Sequence, residues 1–273
     1  MNRSFWKAFF YTGVCSILLY AAAYVLGMHS GQVRADTPAQ QVPQTYYQPE
    51  QEQDILILAY VRQSPKWATL LYFSPAAGTV QLLCLPMEQC IMASGQTLEE
   101  LAVQGEEAVQ KALEQELGRQ LELCLVLEQG RQQKLFDSLG TVELVLPDTV
   151  MLTAPQGTVY LEPGRQLVGA DTLQLLRNEG EEQYNCVQIA AAAQIQALLE
   201  RFSGQSAEQI YQQIGTPGQL SYRQIASGLQ ILRYWQEHKG IQVQAVKQSW
   251  QAGLPLEEQP PFTEFLSNMQ QKP

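Results

Sequence analysis

"LCLPMEQC", Leu83 to Cys90, is the stretch from which the rest of the chain is best read. Leu83, Cys84 and Leu85 form an apolar run, and Pro86 stops it, because proline has no N–H to give to a strand ladder. A strand that ends in proline and then exposes two polar side chains builds an active-site rim. Here the first residue after the proline is Met87, which does no acid–base or electrostatic work. The second is Glu88, which can.

Four further runs resemble this strand: "DILILAYV" (54–61), "WATLLYF" (67–73), "LELCLVL" (121–127) and "TVELVLP" (141–147). With "TVQLLCL" (79–85) they are bounded by Pro, Gly or polar residues and read as strands. Their continuous apolarity predicts burial on both faces, as in a sheet covered by helices. Helix starts are marked by Thr97 with Glu100, Ser206 with Gln209, and Ser221 with Gln224. Each pair can cap free backbone N–H groups reciprocally. The first helix is expected to run to Gly118, with Leu98, Leu101, Ala102, Ala108, Val109, Ala112, Leu113 and Leu117 on one face. A second helix spans Cys186 to Phe202, Arg177 closes a helix that begins near Ala170, and "IQVQAVK" (241–247) reads as a late strand. The fold class expected is α/β: a single domain with a central mixed β-sheet flanked by helices, over residues 54–255. Residues 256–273 read as a loosely ordered C-terminal tail.

The chain has 273 residues, and Ala8 to Met28 contains no charge in 21 positions. About 20 apolar residues span a bilayer. Arg3 and Lys7 precede this stretch, so residues 1–7 are expected in the cytoplasm, 8–28 as a transmembrane helix, and the rest outside. The length favours an uncleaved anchor over a cleaved signal peptide, for which Val33–Ala35 would offer a site. Residues 29–53, rich in Gln, Pro and Thr, read as a flexible spacer. Of 17 basic residues, three lie in the first 35 positions, which hold no acid; the other 14 face all 27 acids, a net of −13. Such a surface repels phosphate backbones, which excludes nucleic acid as a partner. Four of the five cysteines lie beyond the apolar stretch, without metal-ligand spacing, and are expected as buried free thiols; a disulfide stays open in an oxidising compartment.

These segments, in this order, resemble the LytR–CpsA–Psr family, membrane-anchored extracytoplasmic enzymes that transfer glycopolymers from a polyprenyl-pyrophosphate carrier to the cell wall. "DILILAYVRQ" is similar to the family's N-I-L-L-L-G-x-D-x-R. "PKWATLLYFSP" stands where R-S-D-T opens the second strand, and "LCLPMEQ" where the third ends L-S-I-P-R-D-T. "LFDSLGTVELVLP" (135–147) resembles L-V-D-x-L-G-G-V-x-V-x-V-P, and "LEPGRQLVGADTLQLLR" (161–177) resembles L-x-x-G-x-x-L-x-G-x-x-A-L-x-Y-x-R. The resemblance covers roughly residues 1 to 250, anchor included.

The departures fall on the charged positions. Val61 and Lys66 stand where the family has acids, Met87 where it has the arginine of P-R-D, and Glu88 where it has the aspartate. Glu179 replaces a second arginine, and Asn185, Gln188, Ala191 and Ala192 occupy the D-x-x-R-x-x-R-Q stretch. Arg177 alone is retained. The resemblance therefore leaves Arg177 and Glu88 as the catalytic candidates and Glu88 as the one weak metal candidate. For Glu88 the plain alternative is a solvated turn carboxylate, for Met87 a rim hydrophobe, and for Arg177 a helix-end cation pairing with Glu179 or Glu181. Transfer from a lipid pyrophosphate needs its charges neutralised by arginines and a carboxylate-held metal. The expectation is a catalytically degenerate envelope protein that acts by binding a polyprenyl lipid or an envelope protein. It needs no cofactor; Mg²⁺ enters only if the chain is active. A divergent active phosphotransferase, drawing on Lys66, Glu88, Arg119, Arg131 and Arg177, is the second reading. An unrelated anchored sensor or adhesion domain is the third.

Overall fold

In a computed structural model of the chain, described for residues 53–62, 66–154, 157–178, 184–214 and 220–270, the apolar runs become strands and the capped runs helices. The strands are β1 (Ile55–Val61), β2 (Trp67–Ser74), β3 (Thr79–Pro86), β4 (Leu123–Leu127), β5 (Thr141–Leu146), β6 (Val150–Ala154), β7 (Gly157–Leu161), β8 (Gly164–Gly169) and β9 (Gln242–Ala245). The helices are α1 (Leu98–Gln104), α2 (Glu106–Leu117), α3 (Gln129–Asp137), α4 (Ala170–Asn178), α5 (Tyr184–Ser203), α6 (Ala207–Ile214), α7 (Tyr222–His238) and α8 (Pro260–Gln270). The described residues fall in one compact unit, Tyr47–Pro273. The stretches expected as cytoplasmic terminus, membrane helix and spacer lie outside them, apart from Gln53. Among the described residues no helix is long and apolar enough to cross a membrane.

The central sheet is mixed, in the order β4-β1-β2-β3-β9. β1, β2 and β3 meander antiparallel, with Ile55 opposite Phe73 and Trp67 opposite Pro86. β4 joins β1 in parallel, and β9 joins β3 in parallel. One face packs Leu56, Leu58, Leu70, Leu83 and Leu85 against α1, α2 and α8. The other packs Leu71, Val80, Leu82 and Cys84 against α5, α6 and α7. Burial on both sides is why β2 and β3 read as unbroken apolar runs. β5 alternates between exposed and buried positions instead. It pairs with β8 outside the central sheet, and with the β6–β7 hairpin it covers a third core against α4 and α5.

The expected long helix from Thr97 is two helices. Gly105 breaks it at φ 134°, a conformation that costs glycine little. Leu98 and Leu101 before the break, and Val109, Leu113 and Leu117 after it, are all buried as expected. The three capping boxes form: Glu100 N–H donates to Thr97 Oγ1 at 3.2 Å, Gln209 N–H to Ser206 Oγ at 3.2 Å and Gln224 N–H to Ser221 Oγ at 3.3 Å. The segment from Leu256, expected as a loose tail outside a domain ending at 255, is part of the fold. Phe262 and Phe265 of α8 are completely buried. Gln259, also fully buried, donates to the carbonyls of Gln251 and Leu254 and accepts from Gln251 N–H. Two phenylalanines three positions apart outweigh the polar and proline-rich composition that made the stretch read as a tail.

Candidate functional site

Three of the positions that the family resemblance singles out meet at one end of the sheet. β1 ends at Val61, β2 begins beside Lys66, and β3 ends at Pro86, opposite Trp67. The turn after Pro86 folds back tightly. Met87 N–H donates to Lys66 O at 3.0 Å, Cys90 N–H to Pro86 O at 2.8 Å, and Glu99 N–H to Met87 O at 3.0 Å. This geometry turns Met87 inward, where it is fully buried among Leu85, Cys90 and Leu98. Met87 is therefore a core residue and not the rim hydrophobe expected. Glu88, next in the chain, is exposed. Among the described residues no three His, Cys, Asp or Glu side chains converge as a metal site.

Arg177, in the last turn of α4, is half-buried. Its Nη1 donates to Gln194 Oε1 at 3.2 Å, and its guanidinium carbon lies 5.6 Å from the centre of the Phe136 ring. Burial pulls it below the ordinary arginine range, with the neighbouring Cys84 acting in the opposite sense. Glu179 and Glu181, its expected partners, lie outside the described residues.

Cys84 links Arg177 to the start of α5. Beyond Leu82 the partner strand β9 has ended, Val246 N–H making the last bond to Leu82 O at 3.1 Å. Side chains then take over the strand's polar groups. Cys84 N–H donates to Gln188 Oε1 at 2.9 Å, and Tyr184 O–H donates to Cys84 O at 2.7 Å. Gln188 Nε2 donates to Tyr184 Oη at 3.0 Å, closing the network. Gln188 is 1% exposed, so bulk solvent does not reach these groups. Burial raises the Tyr184 hydroxyl well above its usual range and keeps it a donor. Trp67 and Trp250 flank the Tyr184 ring at 5.9 and 6.1 Å. Ala191, in the position of that stretch's second arginine, and Ala192, in the position of its glutamine, are packed in the core under the sheet.

Arg119 lies elsewhere. It pairs with Glu122 at 2.9 Å and donates to Asp54 O at 3.2 Å, beside Tyr72 and the start of β1. That is the opposite end of the sheet from Pro86, so Arg119, expected as a contributor in the active reading, does not stand beside Glu88. Arg131 sits on α3, a helix that the sequence reading missed because its one buried residue, Leu135, sets no period. Tyr184 and Trp250 also escaped sequence reading, since neither falls in a charged motif. All four described cysteines are free and buried.

One apolar surface is incompletely covered. On β1 and β4, Leu56, Leu58, Cys124 and Val126 are buried on one face, while Ile55, Ile57, Leu123 and Leu125 on the other are only half-buried. Tyr211, Ile214 and Tyr234 of α6 and α7 flank this second face.

No family model matches the sequence, and no curated protein matches it. Solved structures do. A putative transcription regulator from Eubacterium siraeum matches with a TM-score of 0.61 at 14% identity, over 81% of this chain and 93% of that one. B. subtilis TagV matches with a TM-score of 0.57 at 11% identity, over 80% and 96%. The LytR-CPS2A-psr family protein YwtF (TagT), solved with bound octaprenyl pyrophosphate lipid, matches with a TM-score of 0.53 at 12% identity, over 82% and 91%.

Proposed function

We propose that this chain, whose fold is that of the LytR-CPS2A-psr proteins, is a membrane-anchored, extracytoplasmic protein of the cell envelope that works by binding and has lost transferase chemistry. The observation that carries this reading is the Gln188 network. Where an arginine would face the end of β3, a neutral glutamine spends its amide on Cys84 and Tyr184, and the neighbouring positions are packed Met and Ala. Guanidinium groups suit phosphate oxygens because they donate in a fork. Removing one preorganised donor of this kind costs about 100- to 1,000-fold in rate. Buried alanines and a methionine cannot be tuned into such donors, and Arg177 alone faces several negative charges. Glu88 offers one exposed carboxylate, whereas Mg²⁺ is usually held by more than one ligand or by substrate phosphates.

A prenyl chain is the ligand whose chemistry suits the half-covered apolar face. YwtF binds octaprenyl pyrophosphate, and the half-covered face of Ile55, Ile57, Leu123 and Leu125 is apolar. The test is calorimetry of the full chain in detergent with a short prenyl pyrophosphate and Mg²⁺, followed by mass spectrometry for the monophosphate. Expected are weak, metal-independent binding and no product. Tight Mg²⁺-dependent binding that disappears in Arg177→Ala, with product formed, would replace this reading by a divergent active transferase. The topology is tested by external protease on intact cells, which should digest the folded domain; full protection refutes the extracytoplasmic placement.

A further inference from the structure

On the side of α5 away from Arg177 lies an open groove of about 1940 Å³. Its floor is one stripe of α5: Asn185, Ile189, Ala192, Ala193, Gln196 and Glu200. These recur at three- and four-residue spacing, so a single helix face is presented. Its walls are built differently. Residues 243–247, from β9 onward, and residues 141–145 of β5 line it consecutively. Successive side chains on a strand point to opposite faces. A wall lined by consecutive residues is therefore the strand's edge, with its backbone N–H and C=O groups. Among the described residues β9 pairs only with β3 and β5 only with β8, so each has an open edge.

We propose that this groove binds an extended, lysine- or arginine-bearing peptide segment of another protein, which adds as a strand to the edge of β9 or β5. Small alanines on the floor let a backbone approach closely. The stripe from Asn185 to Glu200 is about 22 Å long at 1.5 Å per residue, room for about seven residues of extended chain. Such strand addition takes its affinity from main-chain hydrogen bonds and its selectivity from side chains at alternate positions. Charge decides the sign of the partner. Of the charged groups lining the groove, Arg119 and Glu122 pair with each other and Glu143 pairs with Arg165, which leaves Asp54, Glu200 and Glu264 against Lys247. Glu200 is exposed and accepts one bond, from Gln196, and a carboxylate has acceptor sites to spare. Gln188 and Val246 line its inner end, so the groove adjoins the Gln188 network, but peptide binding along β9 or β5 does not depend on whether the β3 end is inactive.

The probe is a phage-displayed library of random dodecapeptides, selected on the full chain in detergent micelles. Selected peptides should carry Lys or Arg among β-branched residues and bind in calorimetry. Gln196→Trp, which places a bulky ring across the floor, should weaken them at least tenfold while leaving the thermal midpoint near that of the parent chain. Glu200→Lys, at an exposed position, should weaken them too and serves if the first variant fails to fold. A proline at the centre of a selected peptide should abolish binding, because it removes a main-chain donor. The proposal is overturned if no peptide is selected, if acidic peptides win, if Gln196→Trp binds equally well when folded, or if the proline peptide binds unchanged. Self-association lost in Glu200→Lys, with no peptide bound, would assign the groove to a second copy of the chain instead.

Discussion

Gln188→Met is the substitution that most directly tests how the end of β3 is held. Methionine nearly conserves the volume, so the cavity contribution is small and the hydrogen bonds are isolated. The change removes the acceptor of Cys84 N–H and the donor to Tyr184 Oη. The third contact, Gln188 Nε2 to Val246 O, is 3.5 Å long and contributes little. A buried donor left unsatisfied costs about 1–3 kcal/mol, and a lost neutral hydrogen bond about 0.5–1.5 kcal/mol. The expected destabilisation is about 2–4 kcal/mol. For a domain of this size each kcal/mol lowers the midpoint by about 2–4 °C, so calorimetric melting should fall by roughly 4–16 °C. Tyr184→Phe should cost about 1–2 kcal/mol, since Cys84 O loses its donor. Because Tyr184 and Gln188 share one network, the double variant should depart from additivity by about 0.5–1.5 kcal/mol. Gln248→Met, at an exposed position, is the control and should change stability by less than about 0.5 kcal/mol. A shift below about 2 °C for Gln188→Met, or additivity within about 0.3 kcal/mol, would show that the network does not hold β3 and α5 together.

Phe265→Ala should destabilise the domain by about 3–5 kcal/mol, because the ring is fully buried in the core beneath the sheet; a neutral result in urea denaturation would mean that α8 is dispensable. The four described cysteines should resist a thiol reagent such as Ellman's until the domain is unfolded; rapid reaction of the native protein would contradict their burial. Burial pushes the Cys84 thiol from its ordinary 9.0 to about 11. The folded state therefore favours the neutral thiol, so this contribution to stability is constant below pH 9 and lost as pH rises from 9 through 11. Denaturant midpoints measured from pH 7 to 11 should be flat and then fall, and Cys84→Ala should soften the fall; an unchanged alkaline limb would exclude Cys84 as a contributor.

Much of the fold is legible in local sequence because its signals are local. Capping pairs such as Ser221 with Gln224 specify where a helix begins with atoms three residues apart. The apolar runs of β2 and β3 declare strands covered on both faces, and the order of runs and turns carries the resemblance that the solved structures bear out at the level of fold. That Met87 and Ala191 are neutral is also plain from the sequence, and no environment makes either a phosphate ligand. What only the tertiary structure decides is where side chains go once elements meet. Whether Met87 lines a rim or fills a core depends on a turn closed by bonds from Lys66 and Glu99, distant in the chain. Gln188 reads as a missing arginine until β9 stops short and leaves Cys84 needing a partner. Phe262 and Phe265 look like a tail until the sheet offers them an uncovered face. Burial and hydrogen-bond completion are properties of the assembled surface, and a pattern of period two or 3.6 holds no record of which surfaces will meet.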